Sequence, residues 1–291
     1  MLKKSQQDVL HGLAFISPWM VGFGFFTAYP LLSSLYYSLT NYNVIARPKF
    51  VGLNNYINLF TNDKMFYTAL ANTLYMVFIG LSFITVLTIA ISILLNDRRI
   101  KGLAFFRIVF FIPTLVPLVI LAILWIWILQ PDAGVVNTAL GWFGIEGPGW
   151  FASPKWSKPA FILMSLWGSG NMVIIYLAAL QDIPASLHEA AAIDGAGYWQ
   201  QIRAITIPLL RPAILFNVIT GIINILQRFA EPLIITKGGP DGSTTFYSLY
   251  LYQNAFRFFK MGYACAMGWI LLMITMLFTV ILLHYNKKWE D

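Results

Sequence analysis

Six apolar runs alternate with shorter polar segments along the chain. A helix of about 20 apolar residues crosses roughly 30 Å of hydrocarbon. The pattern therefore predicts an all-α, polytopic membrane protein with about six transmembrane helices, near 12–32, 72–95, 104–129, 159–180, 208–235 and 261–284, in a single transmembrane domain over 1–291. The first run, from Gly12 to Thr40, exceeds the hydrocarbon thickness and contains Pro18 and Pro30, so the crossing falls in its first two thirds. It follows Lys3 and Lys4 but is too long for a signal peptide and lacks a small-residue cleavage site, so it is read as a retained helix. Pro113 and Pro117 lie inside the third run, and Gly168, Gly170 and Asn171 inside the fourth.

The polar segments have their own patterns. Asn41 to Ala71 carries FVGLNNYINLF, with Phe50, Tyr56 and Phe60 placed to pack at headgroup level. Gln130 to Lys158 is rich in Gly, Pro and Trp, and its GVVNTALGWFGI predicts a short amphipathic helix at the interface. Six spans put both termini on one side. Lys3, Lys4, Arg98, Arg99, Lys101, Arg107, Arg203, Arg211, Lys287 and Lys288 fall on that side, ten against eight Lys and Arg spread over the longer opposite loops, so positive-inside logic makes the termini and the 181–207 loop cytoplasmic.

Composition agrees with a lipid environment. Only 11% of residues are charged and 58% are hydrophobic, against about 25% charged in soluble domains. The net charge of +7 is scattered over loops and tails and not collected on one soluble face, which fits membrane topology better than nucleic-acid binding. Cys265 is the only cysteine, so no intramolecular disulfide or Cys-based metal motif exists.

One polar loop stands apart, IPASLHEAAAIDGAGYWQQIRAITIP. Pro184 suits a first helical turn, the alanines favour propagation, and Gly195 and Gly197 can end a helix. The expected product is a helix, a glycine elbow and a second short helix running into Pro208. Ser186 and Glu189 have capping-box spacing, so Glu189 is either a cap or an outward contact, and Asp194 either fixes the turn or takes part in docking.

The order Glu189-Ala190-Ala191, Gly195, then Ile205 and Pro208 resembles the EAA loop of membrane subunits of binding-protein-dependent ABC importers. Ile207 stands where that pattern usually has Leu. IPASLHEAAAIDGAGYWQQIRAITIPLLRP, with FVGLNNY, GVVNTALGWFG and TKGGPDGST, resembles the carbohydrate-uptake branch, its first-permease kind in particular, and its glycerol-3-phosphate relatives. The resemblance implies a prokaryotic inner-membrane pore subunit that pairs with a second homologous permease, two cytoplasmic ATPase subunits that bind ATP and Mg, and an extracytoplasmic solute-binding protein. It further implies that the loop docks on the ATPase, with Glu189 as a polar anchor, Ala190 and Ala191 allowing close approach, Gly195 as the elbow and Asp194 stabilising it.

A candidate solute path lies in the fourth and fifth runs. Arg228 and Glu231 are spaced to neutralise each other. Asn171, Asn217, Asn224 and Gln227 offer hydrogen bonds to hydroxyls, and Trp167, Tyr176 and Phe229 offer faces for a sugar ring. Such lining suits an uncharged oligosaccharide or polyol better than an anion such as glycerol 3-phosphate. No GxxxxGK[ST] phosphate loop occurs, so the chain borrows its ATPase and is not itself an enzyme. His11, His188 and His284 sit at span ends or loops, which argues against a membrane-embedded metal enzyme. No visible inverted repeat favours a self-sufficient secondary carrier.

Overall fold

The computed structural model describes residues 4–97 and 101–287. Among them the regular structure is helical, with one isolated bridge between Thr40 and Phe50. Lys3, Arg98, Arg99 and Lys288, used above for topology, lie outside the described residues. Gly12–Ser38, Lys64–Asn96, Arg211–Ile235 and Met261–Asn286 are each long and apolar enough to cross a membrane. Leu103–Leu115 with Leu118–Ile128, and Ser157–Trp167 with Gly170–Gln181, reach that length only as bent pairs, at 107° and 49°.

The sharper bend follows from Pro113 and Pro117. Each proline lacks an N–H and crowds the carbonyl four residues back, and Pro117 drives the preceding residue out of the helical region. The chain accordingly tightens into a 3₁₀ turn at Ile112–Leu115, becomes extended at Val116 (φ −75°, ψ 125°) and restarts after Pro117. The second helix begins at Lys64, about two turns before the apolar run at 72–95. Phe66, Ala69 and Thr73 are buried, and their spacing of three and four residues continues the inward stripe of a helix.

The chain divides into two compact units. One comprises the described residues up to Asp63 with Leu251–Leu272, the other Lys64–Tyr250 with the described residues from Met273 onward. In the first, the short helix Asn54–Thr61 is pinned to the end of the first long helix. Asn55 Nδ2 donates to the carbonyls of Ser38 (2.7 Å) and Thr40 (2.8 Å), and the Tyr56 hydroxyl meets Ser38 Oγ at 2.8 Å. Leu59 is buried, while Phe50 and Phe60 remain outward. Trp269 Nε1 donates to Ser34 Oγ at 3.2 Å.

In the second unit, Gly170–Gln181 packs along Ser82–Asn96, joining Leu95, Val173 and Leu177 with Ile91 and Leu103. Ser92 Oγ donates to the Val173 carbonyl at 3.1 Å. Lipid tails are as apolar as leucine, so such helices associate through close packing and polar links more than through removal from water. Gly170 provides the closest approach: a Cβ there would lie 2.3 Å from the Phe110 carbonyl oxygen.

Loops are also held firmly. Asn72 Nδ2 donates to the carbonyls of Gly242 (2.8 Å) and Thr245 (3.2 Å), while its Oδ1 accepts from Lys158 Nζ at 2.9 Å. The helix Val135–Trp142 forms within the Gln130–Lys158 segment. Asn137 ties that segment together, donating to the carbonyls of Pro131 and Pro148 and accepting from Trp150 Nε1 at 2.7 Å. Trp142 and Phe143 project outward, about four-fifths exposed.

Candidate functional site

Two regions of the second unit bring candidate residues together. The first is the helix–elbow–helix at 184–209. Pro184 occupies the position just before the helix Ala185–Ile193, with extended backbone (φ −61°, ψ 128°). Ser186 therefore falls inside the first turn and the Ser186–Glu189 capping box does not form. Glu189 is exposed and has no hydrogen bond or ion pair among the described residues. Ala190 is exposed beside it, and Ala191 is half-buried.

The helix ends as a Schellman motif. Gly195 takes φ +84°, a conformation that costs a residue with a Cβ about 1–2 kcal/mol. Its N–H donates to the Ala192 carbonyl at 3.1 Å, and the Ala196 N–H reaches the Ala191 carbonyl at 2.8 Å, which satisfies two of the carbonyls a helix end leaves open. Asp194 is exposed and contributes no side-chain hydrogen bond. The expected stabilisation of the elbow by Asp194 is thus supplied by other groups. Gln200 Oε1 accepts from the Gly197 N–H at 2.7 Å, Gln201 Nε2 donates to the Ala196 carbonyl at 2.9 Å, and Gln201 Oε1 meets His188 Nδ1 at 3.1 Å.

From the elbow the chain runs through Tyr198–Gln201 into a π-helical turn at Ile202–Thr206 and then Ile207–Leu209. Pro208 has no N–H for the Ala204 carbonyl and its ring would press on that oxygen. The wider turn, in which the Ile207 N–H reaches the Ile202 carbonyl, accommodates it. Ile193 (86% exposed) and Trp199 (78%) point outward on either side of the elbow. Both escape sequence reasoning, because an apolar residue beside a membrane span reads as lipid-facing or core.

The second region is where three interrupted helices meet. The fifth apolar helix is not continuous: Arg211–Leu226 stops, Gln227, Arg228 and Phe229 are non-helical, and Ala230–Ile235 resumes. Gln227, Arg228 and Glu231 therefore flank a break instead of occupying successive helical positions. Arg228 Nη1 donates to Ser165 Oγ at 2.9 Å, which joins this break to the bend of the fourth helix pair. The Trp167 ring sits edge-on to Trp125, with centroids 5.8 Å apart, and Ala230–Ile235 packs against Leu118–Ile128. A Cβ on Gly170 would be 2.8 Å from Thr114 Cγ2, so the proline bend adjoins as well.

At this junction Arg228 Nε lies 3.5 Å from Glu231 Oε1, and both side chains are largely buried, at 14% and 12% exposed. Arg228 is thereby neutralised by an adjacent carboxylate, as the spacing predicts. Asn171, Asn224 and Gln227 are exposed and make no side-chain hydrogen bonds among the described residues. Trp167 and Phe229 are 42% and 39% exposed.

Two predicted path residues belong to the protein interior. Tyr176 is fully buried, and Asn217 is 1% exposed with its amide 3.5 Å from the Met172 carbonyl. The Tyr176 hydroxyl has Asn217 as its polar neighbour but no hydrogen bond of good geometry. In this conformation Tyr176 packs and does not present a face for stacking. Asn217 and Asn224, seven residues apart, point to different environments, one buried and one exposed.

Irregular backbone at membrane depth is tolerated only where protein covers it or a water-filled cavity receives it, and broken helices of this kind form solute sites in transporters. Comparison with known proteins agrees. Residues 88–290 match the binding-protein-dependent transport system inner membrane component family. The chain is 39% identical to the probable ABC transporter permease protein YesP of Bacillus subtilis, covering 99% of this chain and 95% of that one. It is 36% identical to the lactose transport system permease protein LacF of Rhizobium radiobacter, covering 93% and 92%. Its fold is similar to a chain in the crystal structure of a bacterial alginate ABC transporter in complex with an alginate pentasaccharide-bound periplasmic protein, with a TM-score of 0.84 and 26% identity, covering 97% and 96%. With a family match over most of its length and six apolar helices or bent helix pairs among the described residues, the chain belongs to the inner membrane components of binding-protein-dependent transport systems, as a multi-pass ABC permease.

Proposed function

We propose that this permease forms half of the pore of an ATP-driven importer for an uncharged oligosaccharide. The observation that carries the substrate class is the junction of broken helices. Its cation, Arg228, is already balanced by Glu231, while the amides of Asn171, Asn224 and Gln227 are exposed and Trp167 and Phe229 are 42% and 39% exposed, within reach of a sugar. Amides exchange water for hydroxyl groups, and aromatic faces cover the apolar face of a pyranose. An anionic substrate such as glycerol 3-phosphate calls for a cation with charge to spare. The names of LacF, a lactose transport permease, and of the alginate transporter support a saccharide.

In the same reading the termini and the 181–207 loop face the cytoplasm. The elbow rests on one of two partner ATPase subunits, which hold ATP and Mg, and a second permease completes the pore. Glu189 is the polar anchor, Ala190 and Ala191 allow close approach, and Gly195 makes the turn, with Ile193 and Trp199 as apolar contacts. An extracytoplasmic binding protein delivers the sugar to the loops at 41–71, 130–158 and 236–260. Closure of the ATPases around ATP swings the elbow and, through it, the fifth helix.

The test is uptake in proteoliposomes holding the complete transporter and its binding protein, with a neutral disaccharide, a uronate oligosaccharide and glycerol 3-phosphate as competing solutes. ATP-dependent uptake of the neutral sugar is expected. Preferential uptake of either anion would overturn the substrate class, and uptake by this chain without an ATPase would overturn the importer reading. Glu189→Lys is expected to release the ATPase during purification while leaving the helices folded.

A further inference from the structure

Helix Ala185–Ile193 is exposed on most of its surface, so its direction relative to the next helix depends on the elbow. Gly195 and Gly197 by themselves leave that angle soft, since glycine restricts backbone rotation least. Across the elbow, one side-chain hydrogen bond joins the helix to the next among the described residues: His188 Nδ1 to Gln201 Oε1, 3.1 Å. Gln201 Nε2 is engaged with the Ala196 carbonyl at 2.9 Å, which leaves the Gln201 Oε1 as an acceptor and requires the proton to be on His188 Nδ1. Both the Nδ1–H tautomer and the imidazolium meet that requirement. Gln201 is thus bonded at both ends of its amide, to the elbow backbone and to the helix before it. Gln201 is followed directly by the π-helical turn Ile202–Thr206 that leads to Pro208 and Arg211–Leu226.

We infer that His188 is a positioning residue: its Nδ1–H, held by Gln201, locks the angle between the elbow helix and the start of the fifth helix, so that the two move as one body. This rests on the reading of the elbow as the ATPase contact. His188 need touch neither ATP nor sugar. Its contribution is stiffness, so that displacement of Ala185–Ile193 is passed to Arg211–Leu226, the helix that leads to Gln227 and Arg228, instead of being absorbed at Gly195.

The experiment uses the complete reconstituted transporter and measures sugar moved per ATP hydrolysed, together with the amount of ATPase that co-purifies. His188→Ala is expected to retain its ATPase but to transport about five-fold less sugar per ATP, the factor associated with one hydrogen bond. His188→Asn sets an amide N–H close to the position of Nδ1 and should restore the ratio, whereas His188→Gln sets it one bond further out and should not. Gln201→Ala should match His188→Ala, and the double variant should be no worse than either. A wild-type ratio in His188→Ala, or equal loss in His188→Ala and His188→Asn with the ATPase still bound, would overturn the inference. Retention of the ATPase by Glu189→Lys, by contrast, would overturn the docking reading and leave the His188 comparison among variants to stand on its own ratio.

Discussion

The elbow and the junction of broken helices are both departures from regular helix, yet they are built in opposite ways. At the elbow the backbone closes its own hydrogen bonds through the Schellman motif, side chains add three polar links, and the large apolar residues Ile193 and Trp199 point away. At the junction Gly170 brings backbones into contact, and a charged pair and a serine hold the breaks together. One region is held by local bonds, which leave its outer surface exposed. The other is held by long-range contacts because lipid cannot satisfy its polar groups.

That contrast predicts where substitutions cost stability and where they cost association. The largest stability loss is expected for Glu231→Ala, which leaves Arg228 largely buried without its carboxylate, at about 3 kcal/mol. Thermal unfolding in detergent measures it. Arg228→Ala combined with Glu231→Ala should recover part of that loss, and a double variant no more stable than the worse single one would show that the pair does more than neutralise itself. Gly170→Ala comes next, at about 2 kcal/mol from overpacking against Phe110 and Thr114, and an unchanged unfolding temperature would show that the helices part easily there.

Gly195→Ala is expected to cost about 1 kcal/mol from the left-handed backbone, and hydrogen exchange at Gly195 and Ala196 would report the loosened turn. Smallest in stability, within about 0.5 kcal/mol, are Ile193→Ser and Trp199→Ala. Their effect should appear instead as weaker retention of the ATPase on a column. Full retention would remove the apolar contacts from the docking surface and leave Glu189 and the alanines to account for it.

Much of the architecture was legible in the order of residues. Runs of about 20 apolar positions leave no alternative to a membrane-crossing helix, and the spacing from Glu189 through Gly195 to Pro208 located the elbow. Pro113 and Pro117 announced trouble in the third span. Their separation by four residues, which sets one ring against the carbonyl of the other, is what turned an interruption into a 107° bend. The Arg228–Glu231 pair was readable because it is local, three residues apart.

Long-range contacts decided the rest. Nothing in sequence periodicity distinguishes Asn217, buried in the bundle, from Asn224, exposed seven residues later, since their environments depend on which neighbouring helix approaches. Burial of Tyr176 and the Ser165–Arg228 bond across 63 residues have the same origin. His188 and Gln201 each looked like ordinary loop polarity until the turn at Gly195 brought them within 3.1 Å. Local chemistry, written in spacing, determined which segments are helices and where they break. Only the tertiary structure determined which breaks meet and which polar groups are used up inside, because those depend on distances that adjacent residues do not encode.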